Sequence, residues 1–186
     1  MKIRHALMST VLSLGLASTS VVYAAPPPVT PAAGNLIYLG VKGGLIDIDE
    51  PDADNAFNIG VYGGYHLLGD QARFPKNLGG GTLSVEGEFT LTAIDGDAGP
   101  SGDWSVMTLA GYAAYRFPLQ NSFYLKGKAG GYWQDVDTDR PVSWDGTDTG
   151  VSVGLGGGWK LSKGVIEAEI TLLGSDVTFL SLGYIF

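Results

Sequence analysis

The chain has 186 residues, 45% of them hydrophobic and 16% charged, with 11 basic and 19 acidic side chains and a formal charge of −8. That charge argues against a nucleic-acid partner, because phosphate binding needs a basic patch. The lack of any cysteine excludes disulfides, zinc–thiolate sites and a thiol nucleophile.

Residues 1–24, MKIRHALMSTVLSLGLASTSVVYA, join a basic start at Lys2 and Arg4 to an apolar run that closes on Val22, Tyr23 and Ala24. This is the pattern of a secretory signal peptide cut near Ala24, and its apolar part is short of the ~20 residues of a spanning helix. Without it, 9 basic residues face 19 acidic ones. Residues 25–34, APPPVTPAAG, read as an extended, proline-stiffened leader. Residues 35–186 form the single remaining domain, with 29 glycines in the whole chain and an aromatic content of 11% that sets it apart from disordered sequence.

Alternation with a period of two recurs through this domain, and sustained helical periodicity does not. Eight runs are predicted as strands: 36–48, 56–67, 82–94, 105–117, 122–134, 150–161, 165–173 and 177–186. Most are as long as the 9–11 residues a tilted strand needs to cross a bilayer. The connections alternate in character. The first, third and fifth are acidic and turn-rich (DEPDADN, DGDAGPSGD and DVDTDRPVSWDGTDT), and the seventh is a tight turn around Gly174. The fourth and sixth are the short PLQN and SKG, while the second, 68–81, is long. An antiparallel up-and-down barrel with periplasmic termini predicts short even connections and outward-facing odd ones.

The two faces of each strand point the same way. Thr178, Leu180, Leu182, Tyr184 and Phe186 share one face of the last run, and Leu83, Val85, Phe89 and Leu91 share one face of the third. Those faces suit lipid, and Tyr65, Tyr115, Phe117, Phe123, Trp133 and Trp159 fall near strand ends, where interfacial girdles sit. The fold class expected is therefore all-β, an eight-stranded antiparallel up-and-down transmembrane β-barrel. Closure is required as well, since an open edge in hydrocarbon leaves backbone groups unpaired.

The signal peptide, the eight alternating strands and the ending FLSLGYIF resemble the small bacterial outer-membrane barrels of the OmpA transmembrane-domain, OmpX and opacity-protein group. The resemblance covers essentially all of the chain after the signal. It implies integral placement in the outer membrane of a Gram-negative cell. It also implies handling by the barrel-assembly machinery through a C-terminal signal that maps to Leu182, Tyr184 and Phe186. The long 68–81 connection departs from the pattern, and no peptidoglycan-binding domain is expected after Phe186.

The stretch GVIEAEITLLG, 164–174, then has a reading. If Ile166, Ala168, Ile170 and Leu172 face lipid, Glu167 and Glu169 face the lumen. The same parity turns Tyr38, Lys42 and Ile46 inward, with Glu86 and Glu88, Arg116, and Tyr124, Lys126, Lys128 and Tyr132. Four cations thus oppose four carboxylates: Lys42, Arg116, Lys126 and Lys128 against Glu86, Glu88, Glu167 and Glu169. Small inward residues, such as Gly60, Gly64, Gly154, Gly156, Gly158 and Gly183, leave room for long side chains to cross a barrel of this size. An ion-paired, plugged lumen follows, because an unpaired buried charge costs several kcal/mol. A small water-lined channel is the alternative.

Motifs for catalysis are thin. After the signal the one histidine is His66, inward at the periplasmic end, whereas outer-membrane lipid A deacylases pair Ser and His at the outer-leaflet end. Glu167 and Glu169 as an acid/base pair give way to ion pairing with the basic strands. The glycine run 154–158 lacks the Lys-Ser/Thr ending and helix of a phosphate loop. DVDTDR, with Asp135, Asp137 and Asp139, has calcium-like spacing but neither the Gly nor the Glu of an EF-hand. No catalytic residue, metal site or cofactor is assigned. The favoured reading is a non-enzymatic outer-membrane barrel serving envelope integrity or surface adhesion. Its acidic loops carry contact candidates at Asp135, Asp137, Asp139 and Trp144, and loops hold function on rigid scaffolds. Expected partners are outer-membrane lipid and lipopolysaccharide, bridged by divalent cations, and a host or envelope protein. The alternatives are a small porin and a lipid A-modifying enzyme.

Overall fold

The computed structural model describes residues 37–49, 53–67, 80–99, 102–119, 122–139 and 146–186. The strands are β1 (Ile37–Ile48), β2 (Ala56–His66), β3 (Thr82–Ile94), β4 (Gly96–Asp97), β5 (Asp103–Pro118), β6 (Phe123–Thr138), β7 (Gly146–Leu161), β8 (Gly164–Leu173) and β9 (Val177–Ile185). The signal peptide, the leader, most of the 68–81 connection and Trp144 lie outside the described residues.

All pairing is antiparallel between chain neighbours, and the ring closes where β9 returns to β1, from Gly40↔Ile185 to Ile48↔Val177. β3 pairs directly with β5 from Thr82↔Arg116 onward, so the eight long strands have no free edge. β4 is a two-residue spur on β5, pairing Gly96 with Trp104 and Asp97 with Asp103. Closure pairs the strands on both sides through their shared span, as hydrocarbon demands, while the outermost residues of β7 pair only with β6, its pairing with β8 beginning at Ser152. The tight turn between β8 and β9 places Gly174 at φ 66°, a conformation that glycine adopts without a Cβ penalty.

The eight expected strands are all present, but three of them run further outward. β5, β6 and β7 each have 16 residues. Asp135 and Asp137, expected in a loop, therefore lie on β6. The physical reason is that a hydrogen-bonded ladder need not stop where the bilayer does. Asp135 pairs with Thr147 across the ladder, and the Thr147 hydroxyl donates to Asp135 Oδ1 at 2.9 Å, so the carboxylates sit on strand backbone. Likewise the expected 95–103 loop contains β4.

The exterior is a band of exposed apolar side chains that includes Leu39, Val85, Leu109, Leu125, Leu155, Ile170, Leu180 and Leu182. The interior is filled in two tiers. Toward the end that carries the short β5–β6 and β7–β8 turns sit the charged residues and tyrosines, and toward the opposite end sits an apolar core of Ile46, Ile48, Ala56, Trp104, Val106, Val136, Leu173, Val177 and Phe179.

Candidate functional site in the lumen

Long charged side chains reach inward because the neighbours hydrogen-bonded beside them are small. Lys42 lies between Gly60 and Gly183, Glu167 between Gly158 and Gly183, and Lys128 between Ala114 and Gly154. The packing leaves no slack. A Cβ on Gly154 would lie 2.6 Å from Lys128 Cε, one on Gly183 would lie 2.9 Å from the Tyr62 hydroxyl, and one on Gly158 would overlap the Tyr124 ring.

The structure brings all eight charged residues into one connected cluster, each of them buried. Arg116 and Lys126 hold Glu86 from two sides, each at 2.7 Å. They also share Glu167, at 3.1 Å from Arg116 Nε and 3.2 Å from Lys126 Nζ. Lys42 and Lys128 share Glu88, at 3.2 and 2.7 Å, and Glu169, at 3.0 and 2.5 Å. Lys126 joins the two halves by reaching Glu169 at 3.1 Å. The strand alternation of signs makes this possible: cations on β1, β5 and β6 meet anions on β3 and β8 across the lumen, and four of each leave no net charge to solvate.

Tyrosines complete the shell, a role that parity alone did not assign. Tyr38 donates to Glu86 at 2.5 Å, Tyr124 to Glu167 at 2.5 Å and Tyr62 to Glu167 at 3.2 Å. Arg116 Nη1 reaches the Tyr38 and Ser84 hydroxyls at 3.0 Å each, and its guanidinium lies 4.7 Å from the Tyr38 ring centre. Lys128 Nζ sits 4.1 Å from the ring centre of Tyr112. These contacts supply the extra hydrogen bonds and cation–π attraction that a buried ion cluster needs to offset desolvation. At the end of the barrel that carries the short β5–β6 and β7–β8 turns, His66 lies against Tyr38, with ring centres 5.0 Å apart.

Trp104, which the sequence reading did not single out, crowns the lumen. It is 1% exposed, and its indole N–H donates to the Asp54 carbonyl at 2.9 Å. Asp54 N–H in turn donates to the Asp97 carbonyl at 2.7 Å, so the first and second outward connections are tied across the mouth. Extending the fourth run by one residue at its start would have found Trp104, since it shares the inward parity of Val106, Thr108 and Ala110.

The contact candidates do not converge. Asp139 accepts the Asp103 N–H at 3.3 Å, Asp135 accepts from Thr147, and Asp137 is exposed. Among the described residues no group of three or more His, Asp or Glu is placed to hold a metal ion. Leu182 and Phe186 project from the barrel, 60% and 72% exposed. Tyr184, on the same face, packs edge-on to Phe186 with ring centres 5.6 Å apart and donates to the Lys163 carbonyl.

Residues 10–176 match the family model of the outer membrane protein β-barrel domain. Among solved structures, the chain is similar to the outer membrane protein OprG from Pseudomonas aeruginosa, with 13% identity, 83% of this chain and 98% of that chain covered, and a TM-score of 0.51. It is similar also to Neisserial surface protein A, with 13% identity, 81% and 96% coverage, and a TM-score of 0.53. These likenesses speak of the fold. No curated protein sequence matches the chain. With the greater part of its length matched, a closed ring of eight strands and an apolar exterior, the chain belongs to the outer membrane protein β-barrel domain family, as a small eight-stranded barrel.

Proposed function

We propose that this barrel is a non-enzymatic, non-conducting protein of the Gram-negative outer membrane, serving envelope integrity or surface contact through its acidic outward end. The observation that carries the reading is the lumen itself. Four cations and four carboxylates interlock in its periplasmic half, and an apolar core headed by Trp104 fills its outer half. A permeating ion would have to break several buried pairs and then cross a dry constriction, and hydrophobic constrictions block conduction by dewetting. Rigid interiors of this kind leave contact roles to the outward end, where Asp54, Asp97, Asp103, Asp135, Asp137, Asp139 and Asp148 gather. Divalent cations bridging these carboxylates to lipopolysaccharide phosphates fit that charge. Leu182, Tyr184 and Phe186 are proposed as the segment read by the assembly machinery.

Reconstitution into planar bilayers tests the central claim. Silence at all voltages is expected, and steady large openings would overturn it in favour of a porin. Lipid A from a deletion strain is expected to be unchanged, and altered acylation would make the barrel an enzyme.

A further inference from the structure

Between the two tiers of the lumen lies a small void lined by Glu88, Thr90, Thr108, Tyr112, Thr171 and Phe179, among others. Every one of these residues is buried. The space open to the centre of a water is about 10 Å³, roughly the least that holds one molecule.

The polar groups around it are unequally served. Glu88 has Lys42 and Lys128, Thr171 donates to Glu169 at 3.1 Å, and the Tyr112 hydroxyl bonds to Ser152 at 3.0 Å. Thr108 is different. It is 5% exposed, and its hydroxyl finds no protein partner. Its cross-strand neighbour on β6, Gln134, is also buried and leaves Oε1 without one. A buried hydroxyl left unpaired keeps the full cost of its desolvation, and native interiors relieve such costs with ordered water where a polar space exists.

We propose that this void is a built hydration site holding one structural water, hydrogen-bonded to the Thr108 hydroxyl and to the carboxylate edge of Glu88. Below it, charges satisfy one another, and above it, Leu173 and Phe179 begin the dry core. The inference stands apart from the proposed surface role, since it concerns only how the interior is satisfied.

High-resolution diffraction from the parent chain tests it directly. Density for a water within hydrogen-bond reach of Thr108 Oγ1 is expected in the parent and in Thr108→Ser, and its loss in Thr108→Val. An empty void in the parent overturns the proposal, whether or not the valine variant folds. Urea unfolding in lipid vesicles reads the same question through stability. A hydrated hydroxyl makes Thr108→Val unfold at lower urea than the parent, with Thr108→Ser nearer the parent. A dry, unpaired hydroxyl makes the valine variant unfold at higher urea, and that result also overturns the site.

Discussion

Lys42 and Lys128, on β1 and β6, grip the same two carboxylates. Each ammonium lies within 3.2 Å of both Glu88 and Glu169. Neither strand pairs with the other, so this square of alternating charge is a bolt through the barrel's middle. Among the described residues, Glu88 has no other cation, whereas Glu169 also has Lys126.

Sharing sets the outcome of removing each lysine. Lys42→Met and Lys128→Met are each expected to cost about 3 kcal/mol, the low end for breaking a buried pair, because every carboxylate keeps one cation. The double variant strands Glu88, so its loss exceeds the sum of the singles by about 0.5–3 kcal/mol. Adding Glu88→Gln to the double variant recovers part of that loss. Urea titration in vesicles, followed by tryptophan fluorescence, measures all four; additive singles would show that the square is not dry.

Arg116 tests geometry separately from charge. Its Nε and Nη2 meet Glu167 and Glu86, at 3.1 and 2.7 Å, while Nη1 serves two hydroxyls. A lysine keeps the charge but not the fork, so Arg116→Lys is expected to lose about 1–3 kcal/mol through groups left unpaired. Stability equal to the parent would mean that water replaces the lost donors there.

The apolar crown and the ion cluster block the lumen independently. Trp104→Ala is expected to destabilise by about 3–5 kcal/mol, as large-to-small core changes do, yet to remain silent in planar bilayers because the charged tier persists. Conductance in this single variant would locate the whole seal at the crown.

Inward and outward glycines should respond oppositely. A valine at Gly158 drives into the Tyr124 ring and displaces the donor of Glu167, so Gly158→Val is expected to abolish the compact form seen as a heat-dependent mobility shift on detergent gels. An alanine at Gly87 meets nothing within 4 Å, and Gly87→Ala keeps the shift. Its stability rises slightly, since the unfolded chain loses freedom.

Strand count, facing and the list of lumen charges were legible in the chain because each follows from local alternation. Lipid selects apolar side chains on every second residue, so Glu167 and Glu169 had to share the inward side once Ile166, Ala168 and Ile170 took the other. Loop limits were less legible. Asp135 and Asp137 look like loop residues, yet they stand on the outer face of a ladder whose inner face stays buried at Val136, so charge does not mark where pairing ends.

Which anion each cation meets belonged to the tertiary structure alone. Pairing across a lumen depends on the stagger of β1, β3, β6 and β8 around a closed ring, a quantity that no single strand encodes. The same stagger brings Trp104 from β5 beneath Asp54 and sets Thr108 beside the void. Periodicity along one strand reports what surrounds it, whereas contact across the barrel reports how eight strands are offset when the sheet closes.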